Sequence, residues 1–183
     1  MWSPRATVPA VLALAALACG GDDGGTGPGG GNVQAGRFTA KLSGGFSQTL
    51  SGTARYIRAD DGFTIVLSDD SQGSNGIGVV LSRGNPTLPA VDEYRVVDAT
   101  MDPLPPDDFF AASFWRPSGT TIQCFSGDVD QPQGVGGSLN ITGSGSNLEG
   151  DFTTEVGCLE LGTGQLKSAT ITGEFNAEEG STE

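Results

Sequence analysis

The chain of 183 residues contains no histidine. That excludes Ser-His-Asp and Cys-His nucleophilic centres and imidazole-ligated zinc, leaving carboxylates as the main route to catalysis. Basic residues are also few, with 9 Lys+Arg against 22 Asp+Glu and a formal net charge of −13. So acidic a chain repels phosphate backbones, which argues against a nucleic-acid partner. An anionic membrane surface repels it too, so any membrane hold must come from elsewhere. The charge reads first as solubility, with cation binding as the alternative. No apolar stretch approaches the roughly 20 residues of a spanning helix. No segment carries a sustained 3.6-residue apolar stripe with caps, so little helix is expected.

The longest apolar run, Val8 to Ala18, follows a short start carrying Arg5 and ends at Cys19. A run of this length behind a positive charge has the form of an export signal, excluded from fold reasoning. Behind Cys19 comes Gly-Gly-Asp-Asp-Gly-Gly-Thr-Gly-Pro-Gly-Gly-Gly, almost devoid of side chains. Residues 19–35 read as a flexible tether, with a reach of roughly 20 Å for a Gly-rich coil.

Ala16-Leu17-Ala18-Cys19 resembles the lipobox of bacterial lipoproteins. That family prefers Leu three residues before the Cys, where this chain has Ala16 and carries Leu17 one place later. The resemblance implies removal of residues 1–18 and attachment of a diacylglyceryl group to the Cys19 thiol. The new amino terminus is then acylated, with chains such as palmitate, and the membrane holds the protein through lipid. In Gram-negative members an Asp directly after the Cys retains the protein in the inner membrane. Gly20 stands there, which implies the outer membrane. The alternative is an ordinary secretory signal with Cys19 incidental. Cleavage removes Arg5 and leaves 8 basic and 22 acidic residues, a net charge of −14.

With Cys19 acylated, Cys124 and Cys158 remain. An even pair in an oxidising exported compartment reads as a disulfide. They are too few for a zinc site and too far apart for a Cys-x-x-Cys redox pair.

Residues 36–183 read as one domain of short alternating runs broken by Gly, Asp, Asn and Pro. Phe38, Ala40 and Leu42 alternate with polar residues, as do Phe63, Ile65 and Leu67. Ile77, Val79 and Leu81, then Leu139 and Ile141, then Leu148, Gly150 and Phe152, and finally Ala169, Ile171, Gly173 and Phe175 continue the period of two. Such patterning with frequent turn signals predicts an all-β fold, an antiparallel curved sandwich or flattened barrel of about nine or ten strands. The expected strands are 36–43, 47–58, 62–68, 76–83, 92–98, 108–116, 119–126, 135–142, 147–156 and 166–176. Many of the 30 glycines lie inside or between strands, where they mark bends and close backbone approach. The segments 137–142, 148–152 and 169–176 resemble the closing strands of uncharacterised β-rich envelope lipoproteins of bacteria. That resemblance implies β architecture and carries no catalytic residue.

Three groups of residues are candidates for chemistry. Asp128 and Asp130 stand on one side of an extended chain and could share a calcium ion, the one cofactor considered, since calcium takes loop carboxylates. Phe109, Phe110, Phe114 and Trp115 form the densest apolar patch. Alternation sets Phe110 and Phe114 on one face and Phe109, Ala111 and Trp115 on the other, either as core or as a ligand platform beside Asp107 and Asp108. Asp107, Asp108 and Glu160 are the default carboxylates for a glycan hydrolase, which needs two of them about 5–10 Å apart. The expectation is a lipid-anchored, non-catalytic binding or structural module for a glycan, a lipid or an envelope protein. Its alternatives are that hydrolase and a barrel carrying lipid.

Overall fold

A computed structural model describes residues 33–70, 77–99, 105–115, 121–127 and 136–180, with Ile77 and Trp115 described by backbone alone. Ten strands follow in chain order: β1 (Arg37–Gly44), β2 (Gln48–Ala59), β3 (Gly62–Asp69), β4 (Ile77–Arg83), β5 (Glu93–Val97), β6 (Phe109–Trp115), β7 (Ile122–Ser126), β8 (Gly136–Ser144), β9 (Asn147–Glu160) and β10 (Gln165–Glu179). Each answers to one of the segments read from the alternation.

The strands form a single sheet that closes on itself. Starting from Phe125 on β7, direct partners run through Ala112, Val80, Val66, Arg55 and Glu178 to Asn147 on β9. In the other direction Phe125 faces Gly157, also on β9. One circuit therefore climbs β9 from residue 157 to residue 147, the stagger that tilts the strands of a closed barrel.

The ring is uneven, which flattens it. One edge of β6 pairs with β4. Its other edge is divided, with Phe109 and Phe110 beside β5 in parallel and residues 112–115 beside β7 antiparallel. β9 is divided in the same way between β8 and β7. The β5–β8 pair thus takes the place of β7 at one end. Ser126, fully buried, fastens this junction. Its Oγ accepts from the Ala111 N–H at 2.9 Å and donates to the Val97 carbonyl at 2.7 Å. A backbone that changes neighbours leaves polar groups without a ladder, and the hydroxyl supplies the missing partners.

Alternate residues point inward and fill the barrel. Phe38, Phe63, Phe109 and Phe152 are the largest wholly buried side chains, accompanied by Leu42, Leu50, Ile65, Leu67, Leu81, Leu139 and Ile141. The ring of Phe63 stacks on Tyr56 at 5.7 Å and meets Phe109 edge-on at 6.4 Å. Two glycines make room for rings. Gly150 lies opposite Phe175, and Gly173 lies opposite Phe152. A β-carbon at Gly150 would stand 3.0 Å from Phe175 Cζ, and one at Gly173 would stand 2.8 Å from Phe152 Cε1. The Gly-x-Phe spacing of these strands is thus a packing device, a ring laid over a cross-strand glycine.

Cys124 and Cys158 are direct cross-strand partners on β7 and β9, joined by a disulfide with Cα atoms 4.0 Å apart. Both are wholly buried.

The barrel has two distinct ends. The upper end carries the β2–β3 and β8–β9 turns and the segments 84–92 and 105–108. The lower end carries the β1–β2 and β9–β10 turns. The start of the described chain lies towards the upper end, where the Asn176 side chain donates to the Val33 carbonyl at 3.3 Å. The C-terminal Gly180 N–H donates to the Tyr56 carbonyl nearby, at 2.8 Å.

Candidate functional site

Two places stand out from the packing, one on the outer wall and one inside the upper end. On β6, Phe109, Ala111 and Ser113 point inward and are buried, while Phe110, Ala112 and Phe114 point outward and are half-buried. The expected two-sided strand is therefore present. Its inner side is core: Phe109 has no exposure and packs against Tyr94 at 5.6 Å.

The outer side continues across neighbouring strands. Phe114 lies opposite Gln123, Gln123 opposite Leu159, and Leu159 opposite Leu166. The next row runs Ala112, Phe125, Gly157, Ser168. Phe125 is flanked there by a methyl and a hydrogen and is 38% exposed. Leu166 is 48% exposed, and Leu161 in the β9–β10 turn 51%. The wall made by β1, β10 and upper β9 shows Thr39, Lys41, Thr172, Thr153 and Glu155 instead. The outer surface is thus apolar on one side and polar on the other. Directly paired residues share a face about 5 Å apart and diagonal ones lie about 7–8 Å apart, so Phe125, diagonal to both Phe114 and Leu159, bridges the row past Gln123.

The second place is Arg83. It continues the inward series Val79, Leu81 on β4 and is 5% exposed. Its guanidinium carbon lies 5.3 Å from the Phe109 ring centre, 5.4 Å from Tyr94 and 5.7 Å from Phe63. Nη2 donates to the Thr87 carbonyl at 2.6 Å. Nε is buried with no hydrogen-bond partner. Among the described residues the ion pairs join Arg37 to Asp70, Arg58 to Glu179 and Arg95 to Asp108, and none includes Arg83. A buried charge without a counter-ion costs several kcal/mol. Desolvated ring faces return up to about 2 kcal/mol each, so the aromatic cage offsets much of that cost.

Segment 84–92 crosses this end. The Asn85 side chain accepts from the Thr87 N–H at 3.0 Å and from its hydroxyl at 2.7 Å, and donates to Asp107 at 2.7 Å. Ser144 holds the Pro89 carbonyl at 2.7 Å, and the Tyr94 hydroxyl holds that of Ala90 at 3.1 Å.

Of the carboxylates considered for hydrolysis, Glu160 is not brought to Asp107 and Asp108. Asp107 accepts from Asn85, Asp108 pairs with Arg95, and both lie at the upper end. Glu160 closes the lower end of β9, taking a hydrogen bond from the Thr163 hydroxyl at 2.9 Å. The length of β6 lies between the two ends, about 20 Å at 3.3 Å per residue, far beyond the spacing that glycoside hydrolysis requires. Among the described residues no three His, Cys, Asp or Glu side chains gather as a metal site. Cys19, Asp128 and Asp130 lie outside the described residues, as do residues 101–104 and the side chain of Trp115. Burial first, and the charge of Glu179 second, push the Tyr56 hydroxyl above the usual tyrosine range. The hydrogen bond that the Arg58 guanidinium donates to Glu179 raises the Arg58 pKa.

Sequence reasoning passed over Arg83, Phe125, Leu159, Leu161 and Leu166. The signal for Arg83 was there, because the period of two through Val79 and Leu81 arrives on it. The wall residues sit on the polar phase of their strands, and only cross-strand register assembles them into one surface. Comparison with protein-family models, with curated proteins and with solved structures finds no match in any of the three.

Proposed function

We propose that this chain is a lipid-anchored protein of the bacterial cell envelope, held through Cys19, whose barrel is a non-catalytic module that binds an envelope protein through its apolar outer wall. The observation that carries the binding is the group Phe114, Phe125, Leu159 and Leu166, which the register sets on one stretch of outer wall. Contiguous apolar surface on a soluble domain marks interaction. The Gly-rich tether has no large apolar side chain of its own to cover this wall. It would join the barrel towards the upper end, leaving the lower wall free to meet a partner. The mixture of aliphatic and aromatic side chains suits a protein surface better than the flat ring platform of a sugar site.

Site-specific photocross-linking in intact cells tests the reading. A photoreactive side chain at position 125 or 166 is expected to give one discrete protein adduct, and the same group at Thr39 on the polar wall none. Absence of an adduct at both apolar positions, or the same adduct from position 39, overturns it.

A further inference from the structure

We propose that the upper end of the barrel binds a small organic monoanion, a carboxylate on a flat apolar body, with Arg83 as its charge partner. This rests neither on the anchor nor on the outer wall. Arg83 is a fully formed cation in an apolar setting, 5% exposed, with rings on three sides. Its Nε is buried there without a hydrogen-bond partner. Among the described residues its acceptor is the Thr87 carbonyl, carried by the 84–92 segment. A carboxylate oxygen is a stronger acceptor for a guanidinium than a neutral carbonyl, and can engage two N–H groups at once. A ligand that displaced Thr87 would satisfy Nε as well as Nη2.

The surroundings define the ligand. The partly buried Tyr94 and Leu88, both packed against the core, are the apolar surfaces at this end that a flat body could meet. Below, Phe63 and Leu81 are wholly buried, so the ligand must be short. Asp92, Glu93, Asp107 and Asp108 stand around this end and disfavour a multiply charged anion. A single delocalised negative charge fits, and a phosphate does not. The 84–92 segment is the cover, and Asn85 is its clip, tying Thr87 inward and the segment to Asp107.

Sodium benzoate is the probe, with benzamide as its neutral isostere and phenyl phosphate as the dianion, at matched ionic strength. Backbone amide shifts are followed by NMR on the folded, disulfide-bonded protein. The expected result is saturable benzoate binding with shifts concentrated at residues 83–94, no response to benzamide, and loss of binding in Arg83→Met. Asn85→Ala loosens the cover and is expected to tighten benzoate binding about five-fold, the equivalent of one net hydrogen bond. A purely structural Arg83 predicts no benzoate response in either wild type or Asn85→Ala. That result overturns the proposal even if Arg83→Met fails to fold, as does an equal response to benzamide. A response to phenyl phosphate as strong as that to benzoate overturns the monoanion assignment.

Discussion

Phe152 lies directly opposite Gly173 across β9 and β10, its ring filling the space a side chain at 173 would need. The usual rule is that Gly→Ala at a compatible position stabilises by reducing the freedom of the unfolded chain. Here an added methyl meets Phe152 Cε1 at 2.8 Å and the Thr39 carbonyl oxygen at 2.8 Å. Gly173→Ala is therefore expected to destabilise by about 1–3 kcal/mol, the range for overpacked cores. Urea unfolding checks the sign. A more stable variant would show that the ring is free to yield.

The Cys124–Cys158 disulfide spans 34 residues of chain and ties β7 to β9 where β9 changes neighbours. Chain entropy assigns such a loop about 3–4 kcal/mol. Replacing both cysteines by Ala should lower the urea midpoint accordingly. Because both side chains are buried, the native protein should resist reduction and alkylation until denaturant is added.

Tyr56 gives the barrel a base-sensitive latch. Its folded-state pKa stands above the ordinary 10.0, by burial and then by the charge of Glu179. The folded state thus holds this proton more tightly than the unfolded state does. The contribution is constant below pH 10 and is lost as pH rises from there through the folded value. Tyr56→Phe should show a shallower fall of stability above pH 10 than wild type, with little difference at pH 7 beyond the lost hydroxyl. Chemical denaturation along a pH series separates the two.

Most of the strands could be read from the chain because their buried sets repeat every second residue. Phe63-x-Ile65-x-Leu67 and Ala169-x-Ile171-x-Gly173-x-Phe175 fix both the strand and its inner face. Closure could not be read this way. The division of β6 between β5 and β7 depends on contacts between segments distant in sequence, and its fastener, Ser126, looks like any strand serine. The outer wall was hidden for the same reason. Leu159 and Leu166 are unremarkable alone and become a surface only when β9 and β10 set them side by side, with Gln123 and Phe114 beyond. The aromatic run was legible as two-sided. Which side was core was not, since Phe109 and Phe110 are chemically identical and only the inner parity of the strand separates them.

The proposed lipid anchor at Cys19 is open to direct test. Intact-mass analysis of the protein extracted from membranes of its source cell tests it, with Cys19→Ala as the comparison. The expected mature chain begins at Cys19, carries diacylglyceryl and N-acyl mass, and fractionates with membranes. The Cys19→Ala protein is expected to lack that mass and leave the membrane fraction. An unacylated chain, or one that starts elsewhere and is recovered wholly in the soluble fraction, would contradict the account.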